Sequence, residues 1–567
     1  MKSKYIWIVL IGIIILAAIL RLWQLGNVPP SPDWDEVALG YNAYSIIQTG
    51  KDEFGKFLPV VLRSFDDYKP ALYAYLTIPS VLLFGLSTFA VRLPSAIFGI
   101  IAVLATYFLV KELFLVNSDN KKTGSKLEIL NWKLEILALL SAMLMAISPW
   151  SIQFSRVGFE AQVGAVLNLL MVLFFVKSLK KPILLSLSTV FAGLAIYAYQ
   201  SEKVFTPLLA LALVFIFRKE LFLLSKKYVF SALVVGLIVV MPMTFYILNN
   251  RQALLRVTGT SIFSYQTEIL NDTIKKLERD RANNDTLGLI LDNRRVVYAK
   301  NIVSGYISHF SPNFLFITGD ISRHHAPNMG LLYLFELPFL LLGIYLLVFG
   351  KFDKKTKLLL FSWFLIAPIP ASITTGVPHA VRTLNFLPTF QIFTALGILF
   401  AMQKISNIKY QILNIQIKYL IFSLCVLFFI FNFIYYLNQY FVQQNYYYSK
   451  DWQYGYEQAV DEVKRLQNDY KEIIISDKQP MDKSYMFFLF YLRYPPEDYQ
   501  KIGKDSSGGF AAHQSFGRYS FRPIDWQKDS LKRNVLYIGN PDEIPKNSSM
   551  KTIYNLNGTP AIRIADN

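Results

Sequence analysis

The sequence predicts a polytopic α-helical membrane protein that ends in a small soluble domain. Three observations predict it. Hydrophobic residues make up 53% of the 567 and charged residues only 17%, against roughly 25% charged in a soluble domain. The apolar residues gather in runs near the ~20 needed to cross a bilayer. Finally, 57 Lys+Arg against 39 Asp+Glu leaves a net charge of +18, and the surplus falls in alternate short loops, as the positive-inside rule requires. This composition excludes a disordered chain. A single cysteine, Cys425, excludes an intrachain disulfide and any cysteine-built metal site. Cations placed between spans rather than on a soluble face argue against a nucleic-acid partner.

The spans follow in order. Tyr5–Leu25 reads as an anchor rather than a signal peptide, because its apolar stretch is long and no small-residue cleavage site follows. Next come Leu93–Phe114, Leu134–Trp150, Ala161–Val176, Ile183–Tyr199, Val204–Phe217 and Tyr228–Leu248. After a long polar interval come Leu331–Phe349, Leu358–Ile373, Leu384–Met402 and Tyr419–Leu437, about 11 spans in all. Ala71–Leu86 is apolar too, but it is short and contains Pro79. Loop charge decides its case. With that stretch outside the bilayer, one side collects Lys2 and Lys4, Lys111 to Lys133, Lys177 to Lys181, Arg218 to Lys227, Lys351 to Lys357, and Lys404, Lys409 and Lys418. The opposite short loops hold only Arg156, Lys203 and Arg382. Counting it as a span destroys that asymmetry. The N-terminus is therefore expected in the cytoplasm and Ala71–Leu86 at the outer surface.

Three long segments then face outward: the first loop, Gly26–Arg92; the middle loop, Asn249–Gly330; and the tail, Asn438–Asn567. Residues 1–437 form the expected transmembrane domain and 438–567 an extracytoplasmic α/β or α+β domain, with helical patterning near Trp452–Tyr470 and a strand-like run Glu472–Ser476. No internal repeat is evident. Five stretches in the outward loops carry ionisable or aromatic groups: Asp33-Trp34-Asp35-Glu36 and Asp66-Asp67-Tyr68-Lys69-Pro70; Ser155-Arg156 with Glu160; Tyr197-Ala198-Tyr199 with Lys203; and His379 with Arg382. Each has a plain structural reading. Asp-Glu is a helix start or cap, Arg156 and Glu160 are a helical pair, Lys203 and Arg382 snorkel, and the tyrosines form an interfacial belt. Their convergence on one membrane face fits a site for a charged, partly polar substrate.

Taken as an ordered set, these residues carry a resemblance. Asp35-Glu36 follows the first span, Asp67-Tyr68-Lys69-Pro70 and Leu72-Tyr73 come later in that loop, and Ala90-Val91-Arg92-Leu93-Pro94-Ser95-Ala96 opens the second span. Ser155-Arg156, Glu160, Tyr197-Ala198-Tyr199 and Lys203 complete the set. The chain resembles the GT-C membrane glycosyltransferases, specifically glycosyltransferase family 39, which contains the protein O-mannosyltransferases and lipid A aminoarabinose transferases. The resemblance covers roughly Leu22–Gly397. It implies a GT-C fold and inverting transfer of a sugar from a polyprenyl-phosphate donor to a hydroxyl on a protein, lipid or cell-envelope glycan. The topology agrees: nucleotide sugars are cytoplasmic, so an outer-face site needs a sugar already carried across on a lipid.

Asp35 matches the family's first-loop acid and is the expected general base; Glu36 orients or binds, and Glu160 is a second acid. Arg156, Lys203 and Arg382, then Lys69 and His379, are candidates for the leaving phosphate. Tyr68, Tyr197 and Tyr199 are candidate substrate-lining groups. Where aminoarabinose transferases carry a Glu-Lys-Pro-Pro-like string, this chain has Tyr68-Lys69-Pro70-Ala71, which leaves the sugar and acceptor open. His309, His324 and His325 in the middle loop show no ligand spacing, so no cofactor is expected and metal-independent catalysis is preferred over a divalent-metal site. The competing class is a transporter or flippase of lipid-linked sugars. It calls for inverted repeats and charge at the bilayer midplane, whereas these charges lie at one surface.

Overall fold

The computed structural model describes residues 3–65, 67–115, 131–250, 259–263, 268–407, 415–502 and 514–566. Lys2, Asp66, Lys121, Lys122, Lys126 and Lys409, which figure in the charge pattern and the first-loop motif, lie outside the described residues. Helices dominate. The first nine are α1 (Ser3–Leu22), α2 (Trp34–Thr49), α3 (Leu72–Phe84), α4 (Thr88–Leu115), α5 (Asn131–Ile147), α6 (Pro149–Ser155), α7 (Glu160–Ser178), α8 (Leu184–Ile196) and α9 (Glu202–Ile216).

Among the described residues, six helices are long and apolar enough to cross a membrane: Lys4–Leu22, Thr88–Leu115, Glu160–Ser178, Lys226–Asn249, Leu384–Ile405 and Tyr419–Tyr448. A seventh span results if α5 and α6, bent by 55° on either side of Ser148, count as one. Several stretches read as spans from sequence fold as shorter helices. Thus α8 has 13 residues, α9 has 15 and Glu336–Phe349 has 14. A 13-residue helix rises about 20 Å, short of the ~30 Å hydrocarbon core. Helix α3 has the same length and contains Pro79.

The chain divides into two compact units. One comprises Met1–Ala17, Ile100–Ile152 and Gly164–Ile434; the other comprises Ala18–Gly99, Gln153–Val163 and Tyr435–Asn567. In the first, helix Glu336–Phe349 packs on helix Thr389–Asn407 with no room for side chains at the crossing. A Cβ on Gly343 would strike the Phe393 carbonyl, and one on Gly397 the Phe339 carbonyl. Small residues at such crossings let membrane helices gain backbone contact, which replaces the missing hydrophobic drive.

The second unit joins the first loop to the tail around one core. Val37, Tyr41 and Val91 of the first loop share a buried cluster with Phe487, Phe490 and Ile473 of the tail. Hydrophobic alternation reveals which face of an element is buried, but not against which distant segment. Strands β1 (Val61–Ser64) and β2 (Asp67–Pro70) form an antiparallel pair in which Leu62 faces Lys69. The tail carries a six-stranded sheet. Its strands are β3 (Glu472–Ile475), β4 (Gln514–Phe516), β5 (Tyr519–Phe521), β6 (Val535–Gly539), β7 (Lys551–Tyr554) and β8 (Pro560–Asp566), in the order β4-β5-β3-β6-β8-β7. Central β3 runs parallel to β5 and β6; the remaining pairs are antiparallel. Helix Tyr456–Leu466 covers this core, with the Tyr456 ring stacked on Phe487 at 4.1 Å.

One buried carboxyl in the first loop ties pH to stability. Glu53 is fully buried, and burial pushes it from 4.5 up to about 8, against a hydrogen bond from Asn42 that favours the charged form. Between those two values the folded protein keeps a proton that the unfolded chain has released, so stability falls as pH rises across that window. Glu53→Gln should flatten this slope and raise the unfolding temperature most at the alkaline end. Thermal unfolding of the detergent-solubilised protein at both ends of the window checks it; a slope retained in the variant places the titration elsewhere.

Candidate functional site

In the loop-and-tail unit, the start of α2 separates Asp33, Asp35 and Glu36 into three different tasks. Asp33 is the N-cap. Its side chain accepts from the backbone N–H of Asp35 and of Glu36, both at 2.9 Å, while the Asp33 N–H donates to Glu36 Oε2 at 3.0 Å. This reciprocal box satisfies N–H groups that a helix start leaves open. The far end of α2 is closed by Gly50, whose φ of 70° favours a residue without a side chain.

Glu36 is completely buried, and both its oxygens are engaged. Arg92 donates through Nε to Oε1 at 2.8 Å and through Nη2 to Oε2 at 3.0 Å, and the Gly158 N–H donates to Oε1 at 2.7 Å. The remaining Arg92 donors go to the carbonyls of Leu25 (3.1 Å), Pro29 (2.8 Å) and Ser31 (2.7 Å). The pair thus ties the first-loop entry, the start of α2 and the turn before α7 together. Arg92 appeared in the sequence only inside the Ala90–Ala96 string. Its partner lies 56 residues away, so no local spacing could have revealed it.

Asp35 is placed differently. One residue along the helix turns it outward, leaving its side chain 26% exposed, and Lys69 of β2, 4% exposed, makes an ion pair with it. It is therefore a partly accessible carboxylate paired with a cation. Tyr68 lies beside Lys69 on the same strand, half-buried. Glu160 is buried at the first turn of α7, where a negative charge suits the helix N-terminus.

Arg156, a candidate phosphate ligand from sequence, is fully buried. Its Nη groups donate to the carbonyls of Leu20 (2.9 Å), Gln24 (3.3 Å) and Val28 (3.0 Å), and its guanidinium lies 4.8 Å from the Phe441 ring centre and 5.6 Å from that of Tyr440. These contacts make it a brace for the chain leaving α1.

The helical unit holds the other candidates. Tyr197 follows α8, and its hydroxyl accepts from the Met243 N–H at 3.0 Å and donates to the Val239 carbonyl at 2.7 Å. Those two groups would normally bond each other, but Pro242 inside helix Lys226–Asn249 disturbs the ladder there. Tyr197 thus braces the turn that holds Pro242, a role invisible without the fold. Tyr199 and Lys203 are half-buried near the start of α9. Beside Lys203, Glu202 is buried and accepts from Asn168 (2.5 Å) and Asn385 (2.8 and 2.9 Å). Arg382, in the turn before helix Thr389–Asn407, donates through Nη1 to Thr374 Oγ1 at 2.6 Å and the Thr375 carbonyl at 2.7 Å.

His379, in that same turn, is brought to Asp320 and His324 of the middle loop. His324 Nδ1 is 2.6 Å from Asp320 Oδ2, and the His324 and His379 rings are 5.0 Å apart. The His379 N–H donates to His309 Nε2 at 3.1 Å, and His309 Nδ1 lies 2.7 Å from the Gly305 carbonyl. Burial holds His309 down at about 4 and His379 well below its usual range; Asp320, despite burial, is drawn down to about 2 by His324.

No family model matches the chain, and no curated protein matches it. Solved structures do. ArnT from Cupriavidus metallidurans in the apo state aligns over 100% of this chain and 98% of its own, with a TM-score of 0.53 at 11% identity. The same protein bound to undecaprenyl phosphate aligns over the same shares, at 0.51 and 12%. The archaeal oligosaccharyltransferase AglB from Archaeoglobus fulgidus, in complex with an inhibitory peptide and a dolichol-phosphate, aligns over 95% of this chain and 70% of its own, at 0.50 and 12%. At such identities the likeness is one of fold. The chain has the GT-C fold and is a multi-pass membrane protein.

Proposed function

We propose that this GT-C chain is an inverting glycosyltransferase that moves a sugar from a polyprenyl-phosphate donor to a hydroxyl acceptor on the outer face of the membrane. The observation that carries the reading is Asp35: a partly exposed carboxylate, ion-paired with Lys69, just after the first membrane helix. The acceptor hydroxyl loses its proton to Asp35 as its oxygen bonds to the anomeric carbon. The bond from that carbon to the phosphate oxygen breaks on the opposite face, and polyprenyl phosphate leaves. Lys203 and Arg382 are the cations proposed to steady the negative charge on the leaving phosphate. Glu160 is the proposed second acid, while Glu36 and Arg156 hold the first loop in shape. No metal is needed for these steps.

The proposed topology keeps about 11 spans, the shorter helices crossing where the bilayer thins and flanking residues snorkel, with the N-terminus in the cytoplasm. Residues 1–437 are the proposed catalytic domain and 438–567 an extracytoplasmic one. Ser515, exposed on β4, offers a check. With Cys425→Ser in place, a cysteine introduced by Ser515→Cys should react with an impermeant thiol reagent in intact cells; labelling only after lysis reverses the orientation.

The function itself is tested by incubating the purified protein with a panel of polyprenyl-phosphate sugars and an envelope acceptor extract, following release of polyprenyl phosphate. Release with one donor is expected, and Arg382→Gln should weaken donor use without loss of folding. Passage of the lipid-linked sugar across a vesicle membrane with no release would favour the transporter reading instead.

A further inference from the structure

We propose that Asp320, His324 and His379 hold a divalent metal ion of the zinc class, which clamps the end of the middle loop to the turn before helix Thr389–Asn407. One ligand atom from each of the three side chains lies within 4.8 Å of the others, so a slight inward turn of the side chains brings them to a single ion with bonds of about 2.0–2.2 Å. The cluster is built, not a chance meeting on the surface. Asp320 and His324 have side chains 5% exposed, and the backbone amide of Ala380, next to His379, donates to Asp320 Oδ2 at 2.8 Å.

Two further atoms point to something missing between the loops. Asp320 Oδ1 and His379 Nδ1 are both buried, and neither has a hydrogen-bond partner among the described residues. Both are suited to offer a lone pair, and burying two such atoms unsatisfied is unfavourable unless a ligand meets them. A cation accepts both at once.

The donor set selects the ion. Two imidazoles and one carboxylate suit zinc, whereas calcium and magnesium prefer oxygen alone. The surroundings already orient the ligands as metal sites do. Asp320 Oδ2 is fixed by its bonds from His324 and Ala380, which leaves Oδ1 to turn inward. The main chain at His379 is held by His309, itself anchored on Gly305. Such outer contacts set ring orientation and strengthen binding. Three protein ligands leave a fourth position for water or an anionic oxygen. The clamp fixes the turn from which Arg382 projects three residues later, so loading should govern how well that arginine is placed.

Metal content decides the matter without any assay of sugar transfer, so its outcome is independent of the proposed function. The full chain, purified from zinc-supplemented cells, is analysed for bound metals, then stripped with a chelator and titrated with cobalt. About one zinc per chain is expected, and cobalt should give the visible d–d absorption of a four-coordinate site. Asp320→Asn, His324→Ala and His379→Ala should each weaken zinc retention at least about tenfold. His325→Gln, whose parent ring is held instead by the Ala326 carbonyl at 2.9 Å, should retain zinc. Where a variant is not recovered folded, X-ray absorption on the zinc-loaded wild type replaces it and should report two imidazoles. A wild type that takes up neither zinc nor cobalt overturns the proposal and leaves the triad a hydrogen-bonded knot. Metal content unchanged in the folded ligand variants, or an absorption spectrum without imidazole, overturns it equally.

Discussion

Asp35→Asn should reduce sugar transfer at least about 100-fold while the protein still inserts and still binds its lipid donor. General-base catalysis is typically worth 10²–10⁴-fold, and asparagine keeps the size of the side chain while removing its basicity. The helix start should survive, since the cap is made by Asp33 and the Asp35 backbone rather than by the Asp35 carboxylate. One complication is built in. Lys69, 4% exposed, loses its carboxylate partner, and taking a charge partner from a buried ammonium lowers stability. The double variant Asp35→Asn with Lys69→Gln separates the two effects, because it should regain unfolding temperature and remain inactive. Asp33→Asn should be mild by comparison, since asparagine caps helices about as well as aspartate. If Asp35→Asn keeps near-normal turnover while Glu160→Gln is dead, the base is Glu160. Near-normal turnover in both sinks the mechanism.

Much of this site was legible in the sequence, but unevenly. The apolar runs located the membrane helices because hydropathy is a local property. Among the described residues six or seven helices are long enough to match such runs at full length; a run of apolar residues does not reveal where a helix ends. Asp33-Trp34-Asp35-Glu36 could be read as a cap from its spacing alone. What spacing could not tell is that neighbours on a helix point about 100° apart, so that Glu36 turns into protein and Asp35 out of it. Tyr197 looked like a substrate-lining or interfacial aromatic because its acceptor, the Val239 carbonyl in the turn that holds Pro242, lies 42 residues away in sequence. The His324–His379 pairing escaped for the same reason. The four-residue step from Asp320 to His324 was a usable signal, yet the third member comes from a different loop.

The largest expected effect on folding, as opposed to chemistry, belongs to Arg92. Its guanidinium is wholly buried and makes five hydrogen bonds: two to Glu36 and one each to the carbonyls of Leu25, Pro29 and Ser31. Arg92→Met fits a similar volume but leaves an ionised carboxylate and three carbonyls buried without their donor. Removing one partner of a buried ion pair typically costs about 3–5 kcal/mol, a large share of the roughly 5–15 kcal/mol that holds a protein of ordinary stability folded. The variant should therefore show a sharp fall in unfolding temperature in detergent and poor recovery from membranes. Glu36→Gln should be gentler, because a glutamine oxygen can still accept from the Gly158 N–H or from Arg92. Adding Glu36→Gln to Arg92→Met should restore part of the lost stability, since the stranded charge is then gone. A double variant no more stable than Arg92→Met alone would mean that the carbonyls of the first-loop entry, rather than the Glu36 charge, are what Arg92 chiefly satisfies.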